Sequence, residues 1–383
     1  MKLKKLVYSF VSFGILTVPS VSNAQSGVTL YGLLDAGVGF IKTNTGSEYG
    51  ALTGNIHNDR WGIKGVEDLG GGLSTIFDLE NGFSIMNGQL KQGGREFGRQ
   101  AFMGLADKTY GSIVLGRQYD PIVDLVQGLT ADHPLGGSFS TPGDIDNYDN
   151  TMRISNSIKY VSPNYGGLTF EGLYGLSGIA GSPGQGAAWS GAASYASGPV
   201  GVAAGYFYSS NVSEAPFRNS WSSPTADSLF VSPINDGYQS AHSMGITRAA
   251  AQYVLDKLTV GTSYSNVQLK ADGQSKFVSN EHWNIGNVFA SYHLTSQTLL
   301  GLGYTCTHAS GDTSATYHQA NVGATYSLSR RTELYGVAAY QHASGTQRTA
   351  AGGTRQAQAS IGSYGIAGGA TQEVLIFGVL HRF

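Results

Sequence analysis

Val374-Leu375-Ile376-Phe377-Gly378-Val379-Leu380-His381-Arg382-Phe383 reads as an alternating strand that ends on the last residue. Taken in steps of two, Leu375, Phe377, Val379, His381 and Phe383 share one face; Val374, Ile376, Gly378, Leu380 and Arg382 share the other. The opposite end is of another kind. Lys2, Lys4 and Lys5 precede an apolar run from Leu6 to Val18, and Ser22-Asn23-Ala24 follows. This pattern predicts a secretory signal over residues 1–24, cleaved after Ala24. An export signal at one end and an aromatic-ended strand at the other together predict an outer-membrane β-barrel over residues 25–383.

Composition agrees with that class. Without residues 1–24 the chain carries 20 Lys+Arg against 25 Asp+Glu, a formal charge of −5, which is no nucleic-acid footprint. Only 13% of residues are charged, against roughly 25% in a typical soluble domain. Gly numbers 55 and Tyr 22, which suits thin strands and aromatic girdles rather than a disordered chain. Cys306 is the single cysteine, so no intrachain disulfide forms and no Cys-based metal site is expected. Nine scattered histidines show no ligand spacing on a helix, so neither a metal nor a cofactor is expected. Past the signal no apolar run is long enough for a membrane helix.

Sixteen strands are predicted: 28–41, 59–67, 73–83, 95–106, 112–117, 153–161, 168–176, 188–196, 200–209, 244–254, 257–267, 284–294, 299–308, 318–327, 332–341 and 373–383. Short connections such as Asp68–Gly72 and Leu255–Asp256 alternate with longer ones at 42–58, 84–94, 118–152, 177–187, 210–243, 268–283, 309–317 and 342–372. A transmembrane barrel shows this rhythm, with tight periplasmic turns and longer external loops. Charge sorts the faces. Arg60 and Lys64 oppose Trp61 and Ile63; Arg153 and Lys159 oppose Ile154, Ile158 and Tyr160; Glu171 opposes Phe170 and Tyr174. A cation facing lipid near the midplane costs roughly 2–4 kcal/mol, so these charges point to a wet lumen. Arg117 breaks the rule, sharing parity with Ile113 and Leu115. Sixteen strands enclose an aqueous channel.

The chain resembles the Gram-negative general porins, in particular their beta-proteobacterial and neisserial branch. The matching segments, in order, begin with Val28-Thr29-Leu30-Tyr31-Gly32 and Arg60-Trp61-Gly62-Ile63-Lys64-Gly65-Val66-Glu67-Asp68-Leu69-Gly70. Arg99-Gln100-Ala101-Phe102-Met103-Gly104-Leu105 and Leu115-Gly116-Arg117-Gln118-Tyr119-Asp120-Pro121 follow. Tyr326 to Tyr335 and His381-Arg382-Phe383 complete the set. The resemblance implies a homotrimer of sixteen-stranded barrels in the outer membrane, in contact with lipid and lipopolysaccharide. It implies that Phe383 is a signal to the outer-membrane assembly machinery. It also implies a third external loop, residues 118–152, folded into the lumen. Wall arginines Arg60, Arg99 and Arg153, with Lys64 and Arg117 nearby, would face acids of that loop, among them Asp120, Asp124 and Asp132. Two departures stand out. Leu33 replaces a lysine some members carry, and Pro134-Leu135-Gly136-Gly137 lacks the glutamate of a Pro-Glu-Phe-Gly-Gly segment, leaving Asp132 as the leading acidic candidate.

The expected function is passive diffusion of ions and small hydrophilic solutes, without enzymatic activity. Two alternatives stay open at the sequence level. One is a channel selective for sugars or organic acids. The other is a barrel adhesin or barrel enzyme that uses the long loops 210–243 and 342–372.

Overall fold

The computed structural model describes residues 26–182, 184–213, 216, 218–221, 230–362 and 368–383. The expected signal over 1–24 and its cleavage site lie outside the described residues. Eighteen β-segments carry the fold. The first nine are β1 Gly27–Thr43, β2 Gly46–Thr53, β3 Arg60–Gly70, β4 Leu73–Gly82, β5 Gln100–Asp107, β6 Gly111–Gln118, β7 Ile154–Val161, β8 Leu168–Gly175 and β9 Ala188–Ser197. The others are β10 Val200–Ser210, β11 Ser243–Leu255, β12 Leu258–Lys270, β13 Glu281–His293, β14 Thr298–Ser310, β15 Ser314–Ser327, β16 Thr332–Arg348, β17 Thr354–Gln356 and β18 Thr371–Arg382.

These segments fill sixteen positions in one closed antiparallel sheet. β1 pairs with β3 from Gly27 to Leu33 and with β2 from Ala36 to Thr43, so β2 and β3 share one place. β17 extends the ladder of β16 where β18 leaves it. Pairing of β1 with β18, from Leu33 opposite Arg382 to Thr43 opposite Gln372, closes the barrel. Closure satisfies every strand edge, the condition for carrying backbone polar groups through hydrocarbon. Among the described residues no helix is long and apolar enough to cross a membrane.

Alternation follows the charge argument in most strands. Leu30, Leu302 and Phe377 are 62%, 61% and 56% exposed and form part of an apolar outer belt, while Asp35, Gln319 and Ile376 on the opposite parity are buried. Several strands outrun their expected ends. Residues 309–317, expected as a loop, are mostly ladder: β14 and β15 pair up to Ser310 opposite Ser314, leaving three residues between them. β16 likewise continues to Arg348. Beyond the apolar belt the exposed positions turn polar, as at His308 and His318, while Ala309, Ala315 and Tyr317 are buried, so the outward apolar signal fades while the backbone ladder continues.

One irregularity in the β6–β7 ladder, with a positive-φ residue on each strand, corrects the parity reading. Register slips between Gly116 and Gln118, with Gly116 at φ 140°, and Arg117 is buried rather than aligned with exposed Ile113 and Leu115. In β7, Asn156 has φ 53°; Ile154 is fully buried whereas Ile158 is 42% exposed. Ile154 therefore does not share the outer face expected for it. An extra or left-handed residue inverts the alternation that follows it.

The largest buried apolar clusters lie on the face opposite the outer belt. Two short helices, α1 Pro121–Val126 and α2 Asp132–Leu135, belong to the segment between β6 and β7. Ile122, Val126 and Ile145 of that segment cluster with Leu173, Phe207 and Ile246 of the wall. Ala131, Leu135 and Phe139 cluster with Phe289, Val337 and Ile376.

Candidate functional site

The wall side of the site grows from β4 and the turn that enters β5. Glu80, on β4, accepts from Arg99 Nε at 2.6 Å and from Tyr119 Oη at 3.1 Å. Arg99 Nη2 also donates to Tyr119 Oη at 2.5 Å, and Arg153 Nη2 approaches the same oxygen at 3.4 Å. The two guanidinium carbons lie 5.7 and 4.9 Å from the centre of the Tyr119 ring. Tyr119 thus separates two buried cations and offers each of them its π-face, a favourable contact when desolvated. Arg60 starts β3, with Nε donating to the Asn58 carbonyl at 3.0 Å.

Arg60 and Arg99 line a polar opening of about 170 Å³ with Ile56, His57, Asn58, Gln127, Asp132, His133, Asp149 and Asn150. Two cations from the wall and two carboxylates from the 118–152 segment therefore border one small space. Charges of one sign facing charges of the other across a narrow aqueous gap set up a field across it.

The remaining expected residues fall elsewhere. Lys64 lies over the Tyr31 ring at 5.0 Å, four residues along β3 from Arg60, roughly 13 Å at the usual rise. Arg117 donates to the Gly98 carbonyl at 2.8 Å and to Ser155 Oγ at 2.7 Å. Asp120 caps α1, accepting from the Ile122 N–H at 2.8 Å and from Asn147 Nδ2 at 3.0 Å. Asp124 pairs with Lys159 at 2.5 Å, a lysine that also lies 3.9 Å from Glu171. Asp132 accepts from Gln127 Nε2 at 2.7 Å and Thr130 Oγ1 at 2.5 Å. Burial pushes its carboxyl up to about 7, and that of Asp120 up to about 6.

Glu80 and Tyr119 were not singled out from the sequence. Glu80 had a signal: Asp78 and Glu80 alternate on β4 opposite Lys64 and Gly62, on the parity of the other charges. Tyr119 lies beyond the end of β6 and had none.

The segment is fastened to the far wall. Gln319 Nε2 donates to the Ser138 and Ser140 carbonyls at 3.1 and 2.9 Å, and Asn321 Nδ2 to Ser138 as well. Arg248 Nη1 donates to the Asn147 carbonyl at 3.1 Å, its guanidinium 4.3 Å from the Tyr148 ring centre. A Cβ on Gly301 would overlap Leu135, and one on Gly303 or Gly323 would come within 3.0 or 3.1 Å of Phe139. Missing side chains on β14 and β15 make the seat for these two residues.

A family model described as Gram-negative porin matches residues 12–346. An outer membrane porin protein of Bordetella pertussis is 34% identical over 41% of this chain and 44% of its own length. Outer membrane porin protein 32 of Delftia acidovorans is 30% identical over 42% and 47%. In both cases the chain spans about half the length of the curated relative it matches. The major outer membrane protein P.IB of Neisseria gonorrhoeae is 27% identical over 85% of this chain and 90% of its own length. Among solved structures, an anion-selective porin from Comamonas acidovorans superposes with TM-score 0.71 over 94% of this chain and all of its own, at 22% identity. The trimer form of OmpT from Vibrio cholerae superposes with TM-score 0.65 over 94% and 99%, at 15% identity.

Proposed function

This chain belongs to the Gram-negative porin family, and on that premise we propose that it forms a water-filled channel for passive diffusion of ions and small hydrophilic solutes across the outer membrane. In this reading residues 118–152 fold into the barrel and narrow it, with Arg60, Arg99 and Arg153 on the wall and Asp132 on the loop. One observation carries it: Arg60 and Arg99 border the same 170 Å³ opening as Asp132 and Asp149. The loop's seat on the face opposite the exposed belt supports its inward position. A wet gap bordered by fixed charges of both signs orients polar solutes and hinders apolar ones, which must displace ordered water.

The reading includes a homotrimer in contact with lipid and lipopolysaccharide, assembled through recognition of Phe383, and assigns no enzymatic reaction. The structural relative titled as a trimer supports the assembly. Purified protein in planar bilayers tests the proposal. Ohmic conductance steps in groups of three are expected. Absence of conductance from correctly folded protein would sink the channel, and saturation by one sugar or organic acid would replace it with a selective one.

A further inference from the structure

His57 and His133 face each other across the narrow space, their ring centres 6.4 Å apart and their planes at 66°. His57 belongs to the connection before β3, and its N–H donates to Asp35 Oδ2 at 3.0 Å, which fixes its backbone. His133 sits on α2 of the inserted segment, and two residues past that helix Gly137 N–H donates to the Asn55 carbonyl at 3.2 Å. Neither imidazole has a hydrogen-bond partner among the described residues. Both rings line the opening with Arg60 and Asp132. Both also line a second opening of about 260 Å³ with His293, Glu333 and Arg382. The pair stands where the two spaces meet.

We propose that His57 and His133 form a two-histidine clasp that binds a divalent transition-metal ion of the zinc, copper or nickel class, and that the bound ion ties the loop tip to the wall and partly blocks the channel. The inference rests on the channel reading above.

Distance supports it. Imidazole nitrogens bind such ions at about 2.0–2.1 Å, which puts two rings sharing one ion tetrahedrally about 5 Å apart, centre to centre. The observed 6.4 Å needs an approach of roughly 1 Å, within reach of a side-chain rotation of His133, which is exposed. Water fills the other positions, as it does at open zinc sites. Among the described residues no three His, Cys, Asp or Glu are already gathered around one point, so two protein ligands and weak binding are the expectation.

Electrostatics makes the selectivity testable. Arg60 and Arg99 on one side and Arg382 on the other disfavour a cation held by charge alone, though Arg99 is paired with Glu80 and Arg382 with Glu333 at 2.6 Å each. Coordination by neutral nitrogen must then supply the affinity. Imidazole suits zinc, copper and nickel, whereas magnesium and calcium prefer oxygen.

The test uses the folded, full channel in planar bilayers. About 0.1 mM zinc chloride should lower conductance roughly two-fold and reversibly, with recovery on adding EDTA, while equal magnesium chloride leaves it unchanged. His57→Gln and His133→Gln, singly, should each abolish the block, read as the fraction of each variant's own zinc-free conductance. Isothermal titration with zinc should lose its binding event in the same variants. Block by zinc and magnesium alike, or block and binding that survive in both variants, would overturn the clasp. A wild-type protein that conducts but ignores zinc would overturn it too, whereas one that never conducts would instead refute the channel.

Discussion

Arg99 and Arg153 are buried cations whose common partner is a tyrosine, and Arg99 alone of the two bonds directly to Glu80. This asymmetry separates their effects. Replacing Arg60, Arg99 and Arg153 by glutamine should move the reversal potential in a salt gradient toward that of the cation and raise conductance, because three positive charges and three long side chains leave the gap. Glu80→Gln should move it toward the anion, since Arg99 then loses its compensating charge. If either shift is absent, those residues lie outside the path of the ions. Asp132 adds a dependence on pH. Burial holds its carboxyl at about 7, so it is charged at pH 8 and largely protonated at pH 6. Protonation removes negative charge from the loop side, so preference for anions should rise as pH falls through 7. Asp132→Asn should show the acid value at both pH values, and an unchanged pH step in that variant would assign the titration to another group. Parity and resemblance pointed to the wall arginines as candidates, because a charge within an apolar strand has only one tolerable side, yet Arg117, whose parity pointed outward, is buried beside the shifted register. The partners of the acids were not: Asp120 is engaged as a helix cap and Asp124 by Lys159, and those bonds exist only once the loop is folded.

Two elements depend on glycine for steric reasons. At Gly116, φ is 140° and an added Cβ would overlap the Ala101 carbonyl, so Gly116→Ala strains the bulge that turns Arg117 inward. Lower yield of heat-resistant folded protein on gels is the expected result, and wild-type yield would show that the bulge tolerates a side chain. At Gly301, the space a side chain would occupy is filled by Leu135. Gly301→Val should displace the loop tip, while Leu135→Ala, by loss of a buried side chain, should weaken its docking by about 2–5 kcal/mol. A cysteine at position 132 in a Cys306→Ser background reads the outcome. Small charged thiol reagents should label it in the parent, and reagents too large for the pore should label it only after Gly301→Val. Equal, rapid labelling by large reagents in the parent would place the loop outside. The sixteen barrel positions were legible, since apolar alternation is strong in the membrane-facing belt, whereas β2 at Gly46–Thr53 and β17 at Thr354–Gln356 lie in stretches expected as loops. Strand ends at 309–317 and 342–348 were not legible, because there the exposed positions turn polar, as at His308 and His318, while the apolar Ala309, Ala315, Tyr317 and Ala343 are the buried ones.

The last residue extends the ladder that closes the barrel by one pair. Phe383 N–H donates to the Gly32 carbonyl at 3.0 Å, Gly32 N–H donates to the Phe383 carbonyl at 3.1 Å, and the Phe383 ring covers Gly32. Deleting Phe383 removes only this last pair and leaves the β1–β18 ladder, so a lower amount of outer-membrane protein is expected through lost recognition, with near-normal conductance from the molecules that do assemble. Normal levels in membrane fractions would show that the terminal residue is dispensable. Class, strand number and compartment could be read from the sequence alone, because lipid imposes a one-dimensional rule: every second residue of each crossing strand must be apolar, and charge must keep to the other parity. Only the tertiary structure decided which wall residues the segment between β6 and β7 packs against and bonds to. Its anchors are Gln319, Arg248 and the bare glycines of β14 and β15, between roughly 100 and 185 residues away in sequence. No local period records a contact of that span, which comes into being when sixteen strands close and bring the far wall opposite the loop.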